Sequence, residues 1–260
     1  MRNIWTIARR EYNHYFISQI AYIVAFAILL AIGVVFGINF FYFAQNSFQN
    51  PSAVPDISPV TGVFVFLLVL STPALTMRLI SDEARMGTLE LLLTAPIKDS
   101  ELVIGKWLGG MLYILSLAVV TLIYPLILNG IKIGSFTLLP GFVSPGLDIH
   151  VVLSSYLGLI LIAGVFLALG TGISAMFTNQ IAAFFGTLIL FVFLWWLVGF
   201  PANVLSGNSA ALFQYLDMKT HFYGALSDGI INLSDIVYYV SLIALGLFTG
   251  TVAVEMRRWR

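Results

Sequence analysis

Long apolar runs separated by short polar breaks dominate the chain. Each run supplies the roughly 20 residues that a helix needs to cross a bilayer. Six spans are predicted, at about 20–43, 60–80, 102–128, 151–177, 181–201 and 236–256. Only Thr178-Asn179-Gln180 separates the fourth from the fifth, which predicts a tight helical hairpin. The pattern reads as an all-α integral membrane protein.

One polar island interrupts this pattern at 76–107, TMRLISDEARMGTLELLLTAPIKDSELVIGKW, and it holds four of the twelve Lys and Arg residues. Its middle, LELLLTAPI, is too apolar for a loop in water, which suggests a docking surface for a soluble partner. Arg78 and Asp82 are four apart, and Asp82 and Arg85 three apart, so both pairs fit one helical turn. Gly87 is placed to stop that helix. Thr88 can cap a second short helix over 89–94, which Pro96 ends. Ser100 or Asp99 then caps the third span, with Glu101 favourable near its start. The apolar Leu89, Leu91, Leu92 and Leu93 face either the bilayer and bundle or a partner's groove, with Glu83, Arg85 and Glu90 around them.

Charge placement orients the bundle. With six spans, Arg2, Arg9 and Arg10, the island's Arg78, Arg85, Lys98 and Lys106, and the terminal Arg257, Arg258 and Arg260 all fall on one side. Lys132 and Lys219 fall opposite. The positive-inside bias therefore predicts that both termini and the island are cytoplasmic. The N-terminal segment 1–18 reads as an amphipathic helix lying flat at the interface. Trp5, Ala8, Tyr12, Tyr15 and Phe16 share one face, and Arg2, Arg9, Asn13 and His14 fall elsewhere. The outer segment 202–235 is long and mixed, with two short helices predicted near 210–217 and 220–228 that dip partly back into the membrane. Pro73 and Pro125 predict kinks, and Pro201 predicts the end of the fifth span.

Composition narrows the function. The chain is 60% hydrophobic and only 9% charged, against about 25% charged in soluble domains. Net charge is zero, which gives no pointer to nucleic acid. There is no Cys, hence no disulfide, thiol nucleophile or thiolate metal site. None of His14, His150 and His221 has metal-ligand spacing, so no metal is expected. The phosphate-loop pattern GxxxxGK[ST] and the nucleophile elbow GxSxG are absent, so the chain is not expected to be an enzyme by itself. No Asp, Glu, Lys or Arg lies deep in a span, which argues against an ion-coupled carrier. Gly33 and Gly37, and Gly246 and Gly250, form GxxxG pairs; Gly158, Gly164, Gly170 and Gly172 line the fourth span. Such glycines serve either packing within one subunit or contact with a second one.

The island also carries a signature of the form R-x-x-x-[DE]-E-x-x-x-G-T-x-E-L-L-L-T-x-P followed by G-K. Here it is Arg78, Asp82-Glu83, Gly87-Thr88, Glu90-Leu91-Leu92-Leu93-Thr94, Pro96 and Gly105-Lys106. With six spans and the N-terminal helix, the chain resembles the type-2 ABC permease family. Ser18-Gln19-Ile20-Ala21-Tyr22-Ile23, Pro73-Ala74-Leu75-Thr76-Met77-Arg78, Phe213-Gln214-Tyr215-Leu216 and His221-Phe222 make it most similar to the gliding-motility-type branch.

The resemblance covers nearly the whole chain and implies one permease domain over 1–260, in a prokaryotic cytoplasmic (inner) membrane. It implies that 81–100 is a coupling segment, with Arg78, Asp82, Glu83, Arg85, Gly87, Thr88, Glu90, Leu91, Leu92, Thr94 and Pro96 as the ATPase-coupling residues. It also implies a re-entrant piece after the fifth span, a cytoplasmic ABC ATPase that binds the ATP and Mg, and a second permease subunit, the same or a related chain. Membrane lipids surround the assembly, and an additional envelope protein is compatible with it. Two functions follow from the resemblance: a permease for export, or a membrane platform that turns ATPase motion into mechanical or assembly work without moving a substrate.

Overall fold

The computed structural model describes residues 2–49, 56–89, 94, 97–128, 132–133, 136–137 and 147–258. Along the chain run α1 (Arg2–Tyr15), α2 (Gln19–Gln49), α3 (Ser58–Thr76), α4 (Ser81–Arg85), α5 (Asp99–Thr121) and α6 (Ile123–Leu128). They are followed by α7 (Ile149–Met176), α8 (Gln180–Val192), α9 (Asn208–Leu216), α10 (Met218–Tyr223) and α11 (Leu233–Arg258). The one departure from an all-helical fold among the described residues is a two-residue antiparallel pair, β1 (Lys132–Ile133) with β2 (Phe136–Thr137). Residues 50–55 and most of 129–146, between predicted spans, lie outside the described residues.

Among the described residues, six helical stretches are long and apolar enough to cross a membrane: Gln19–Asn46, Ser58–Arg85, Asp99–Leu128, Ile149–Met176, Gln180–Asn203 and Leu233–Arg258. This is a multi-pass membrane protein. α7 is its axis, the most buried of the six, with α3, α5, α8 and α11 packed around it. α2 is the most peripheral, the least buried of the six, and meets chiefly α3.

Glycine decides how closely the axis is approached. Gly172 of α7 meets Gly246 and Gly250 of α11 with the backbones in contact. A Cβ on Gly246 would sit 2.7 Å from the Ala168 carbonyl carbon, and one on Gly172 would sit 2.9 Å from the Gly246 oxygen. This GxxxG pair is therefore internal packing, the small-residue approach that helices use in lipid. The other pair differs. A Cβ on Gly33 would meet only the Tyr124 hydroxyl at 3.4 Å, and one on Gly37 would meet nothing within 4 Å.

Pro73 lies inside α3. Pro125 cannot donate to the Thr121 carbonyl, and the third span is interrupted at Leu122. Asn179 caps α8 through its side chain, which accepts from the Ile181 N–H at 2.8 Å and closes the predicted hairpin. α8 then widens into one π turn at Phe193–Leu197 and ends in a 3₁₀ turn at Phe200–Asn203, which contains Pro201.

Contacts define the two ends of the bundle. At one end Asn3 Nδ2 donates to Glu101 at 3.1 Å and Arg258 pairs with Asp99 at 3.3 Å, so both chain termini gather there. At the opposite end the Tyr223 hydroxyl donates to the Gly62 carbonyl at 3.0 Å, and Ser58 donates to the Ser227 carbonyl at 2.8 Å. The two short helices expected near 210–217 and 220–228 are α9, α10 and a 3₁₀ turn at Leu226–Asp228. Phe222 and Leu226 lie against Gly158, nine residues from the start of α7 at Ile149. At 1.5 Å per residue that is about 13 Å along the helix axis. His221 is structural here. Its Nδ1 meets Asp235 at 2.7 Å, its Nε2 meets the Tyr215 carbonyl at 2.7 Å, and its ring stacks on Tyr238.

The two GxxxG pairs give opposite expectations. Gly246→Leu forces α11 off α7 and lowers the thermal unfolding midpoint in detergent, at a cost of about 1–3 kcal/mol or more. Gly37→Leu changes that midpoint by no more than about 0.5 kcal/mol equivalent.

Candidate functional site

α3 ends at Thr76, and residues 77–80 form a turn before the helix resumes as α4. A break of this kind leaves backbone groups without helical partners, and in apolar surroundings they need substitutes. Ser174 of α7 supplies them. Its hydroxyl accepts from the Ile80 and Ser81 N–H groups, each at 3.2 Å, and donates to the Met77 carbonyl at 3.4 Å. α4 is then closed by Gly87, whose φ of +72° lies in the left-handed region that glycine enters without strain.

The turn overturns one expected pair. Arg78 and Asp82 share no helical turn because 77–80 are not helical. Arg78 donates instead to the Ser18 hydroxyl at 2.8 Å. Asp82 keeps the predicted pair with Arg85 at 3.0 Å and also accepts from the Gln180 amide at the start of α8. Thr88 is itself helical, and its hydroxyl donates back to the Glu83 carbonyl at 3.3 Å; most of the helix it is expected to cap lies outside the described residues. At the start of α5, Lys98 is the N-cap rather than Ser100 or Asp99, and the Glu101 carboxylate accepts from its N–H at 3.2 Å. Glu90, Leu91, Leu92, Leu93 and Pro96 lie outside the described residues; Thr94 is helical and exposed.

The centre of the junction is an ion cluster. Lys106 of α5 is 1% exposed, and its Nζ lies 2.9 Å from Glu83 of α4 and 3.0 Å from Glu11 of α1. Arg10 reaches the same two carboxylates, Glu11 at 2.8 Å and Glu83 at 3.1 Å. Two cations thus neutralise two anions, and three helices distant in sequence are tied at one point. Burial alone would push the Glu11 carboxyl up, but Lys106 and Arg10 outweigh it and hold Glu11 below its ordinary range. Arg10 is shifted up: burial opposes the shift and is outweighed by Glu11 and Glu83.

Glycine sets the register of that cluster. A Cβ on Gly105 would lie 2.8 Å from Ile7, and one on Gly109 would lie 2.6 Å from Glu11. Their absence lets α1 run along α5 in the same direction, from Asn3 beside Glu101 to Tyr15 stacked on Tyr113 at 4.8 Å. The aromatic face expected on α1 is therefore divided. Ala8 and Tyr15 are buried against protein, while Trp5 and Phe16 remain exposed.

α4 is held from four directions: by α1 and α5 through Glu83, by α7 through Ser174, and by α8 through Asp82. Its remaining surface presents Arg85, Met86, Gly87 and Thr88 to the outside. Leu89 turns inward and is buried within the chain. Among the described residues no three His, Asp or Glu side chains converge as a metal site requires.

Of the coupling residues expected from sequence, the structure brings together Asp82, Glu83, Arg85, Gly87 and Thr88; Arg78 lines the same cavity as Asp82 and Glu83 but bonds to Ser18. Arg10, Glu11, Ser174 and Gln180 carry no such expectation in the sequence. The available signal was Lys106 itself, a lone cation five residues inside the predicted span 102–128.

A family model described as ABC-2 family transporter protein matches residues 5–254. The chain belongs to that family: it is a membrane permease subunit of an ABC transporter and is not itself catalytic. No curated protein matches the sequence.

Lys106→Met leaves two buried carboxylates with Arg10 alone, and the expected loss is about 3–5 kcal/mol, read as a lower unfolding midpoint of the purified chain. Ser174→Ala orphans two buried N–H groups and is expected to cost about 1–3 kcal/mol. The lowered Glu11 value fixes a sign for pH. Its contribution is complete above its ordinary value of 4.5 and is lost as pH falls through the lower folded value. The unfolding midpoint therefore drops below about pH 4.5, and Glu11→Gln removes that component of the drop.

Proposed function

We propose that the chain is the pore-forming subunit of an exporter whose energy comes from a separately encoded cytoplasmic ATPase. That partner binds the ATP and Mg, and it docks on α4 and the segment that follows it through residue 96. On this reading the end carrying both chain termini faces the cytoplasm. The charge distribution supports this, since Arg9, Arg10, Arg78, Arg85, Lys98, Lys106, Arg257 and Arg258 belong to that end. The membrane is then the inner membrane of a prokaryote, and a second copy or a related chain completes the pore. The sequence likeness to the gliding-motility-type branch supports that placement within the family.

One observation carries the proposal. α4 is a short helix bonded inward to four others, yet it leaves Arg85, Met86 and Thr88 exposed on its outer side. A partner that pushes on those residues acts on α1, α5, α7 and α8 through bonds already made. Deep spans without charge suit an amphipathic or lipid-linked cargo.

The test uses the chain co-purified with its neighbouring ATPase and reconstituted in vesicles. Arg85→Glu alters an exposed side chain, so the bundle is expected to fold and unfold as the wild type does. The ATPase rate of the complex is expected to fall severalfold, or the partner to be lost on purification. An ATPase rate and yield of complex equal to wild type removes α4 as the docking element.

A further inference from the structure

A cavity of about 420 Å³ opens beside the ion cluster, between α1, the end of α3, α4 and the start of α5. Arg10, Glu11, Glu83 and Lys106 form one wall, and Arg78, Asn13, His14 and Ile17 are on its rim. The first four neutralise one another, and Asp82, also in the lining, is paired with Arg85. Among the described residues, Arg78 alone of the Arg and Lys side chains of this cavity has no carboxylate partner. Its guanidinium is half-buried, and its recorded bond goes to the neutral Ser18 hydroxyl. Guanidinium has five donors in a planar fork, and a partly desolvated one is costly without an anion.

Position identifies the anion. Ser18 is the link between α1 and the first span, which starts at Gln19. Ile17, on the cavity's rim, is 79% exposed, and it is followed along α2 by exposed Tyr22, Ile23 and Phe26. A cation at the head of an apolar, lipid-facing surface matches a phospholipid, with phosphate at the guanidinium and acyl chains along α2. Arg suits phosphate because its fork meets two oxygens at once. We propose that Arg78, with Ser18 and the Asn13–His14 turn of α1, holds the phosphate of an anionic phospholipid from the leaflet on the side of the chain termini. Basic pockets between spans are a known form of headgroup site. Arg78 thereby serves a lipid and not the ATPase-facing surface of α4. The site depends on no partner subunit, so its test is independent of the coupling proposal.

The full chain is purified in neutral detergent and offered phosphatidylglycerol or phosphatidylcholine, and bound lipid is counted by native mass spectrometry. Wild type is expected to retain phosphatidylglycerol at least tenfold better than phosphatidylcholine. Arg78→Gln is expected to abolish that preference, and Lys98→Gln, outside the cavity, to leave it intact. Arg78→Lys keeps the charge and loses the fork; it is expected to fold and to bind severalfold more weakly, so the site stays testable if Arg78→Gln does not fold. Equal preference in wild type and the Arg78 variants overturns the proposal. Displacement of the lipid by an equal concentration of inorganic phosphate overturns the lipid as the source of the anion.

Discussion

A lysine kept from water must have its charge answered, and that requirement organises the end of the bundle where the termini meet. Lys106 sits in α5 with its side chain sealed, and the carboxylates that answer it come from elsewhere in the chain. Glu11 arrives on α1 and Glu83 on α4. Glu11 could not reach Lys106 unless α1 lay directly against α5, and Gly105 and Gly109 make that approach possible by having no Cβ. Arg10 then cancels the charge that a second carboxylate brings. The close approach and the ion cluster are thus one device. An apolar residue at 106 would pack against the same helices but would not specify which carboxylates must meet.

This dependence separates what the sequence shows from what it hides. Span number and the hairpin at 178–180 follow from local patterns of apolar and polar residues. The helix stop at Gly87, the end of the fifth span at Pro201 and the two short helices after it follow from local turn chemistry. The cluster joins residues 95 apart, Glu11 and Lys106, and no local spacing encodes that. Arg78 and Asp82 show the opposite failure: the four-residue spacing is a helical signal, but the chain leaves the helix between them. The GxxxG pairs differ for a similar reason. The motif states that a close approach is permitted, not which helix makes it. Gly246 and Gly250 meet Gly172, while Gly37 meets nothing within 4 Å.

The division of α1's aromatic face has the same origin. Helical periodicity groups Trp5, Ala8, Tyr12, Tyr15 and Phe16 correctly, but it cannot distinguish a face turned to lipid from one turned to protein. The glycines of α5 decide it by drawing Ala8 and Tyr15 into contact. Tyr15 then does more than fill space. Its hydroxyl donates to the Leu75 carbonyl at 3.3 Å, close to the end of α3. α1 is therefore bound to α5 along its length and to α3 at its tip, just before the turn at 77–80.

Under the proposed coupling, these bonds determine which parts can move together. Pulling Glu83 away from Lys106 and Arg10 would leave charges desolvated and unmatched, at a cost of about 3–5 kcal/mol. Shifting α4 together with α1 and α5 keeps all four ionic contacts and avoids that cost. The link to α7 is weaker in kind, because Ser174 holds the turn through neutral hydrogen bonds of 3.2 to 3.4 Å. Neutral bonds of this sort contribute about 0.5–1.5 kcal/mol each. The junction therefore has a stiff side toward α1 and α5 and a softer side toward α7. Force applied to α4 would carry α1 and α5 as one body and slide them against the central helix. The slip would occur at the break in α3, where residues 77–80 already lie outside the helical ladder.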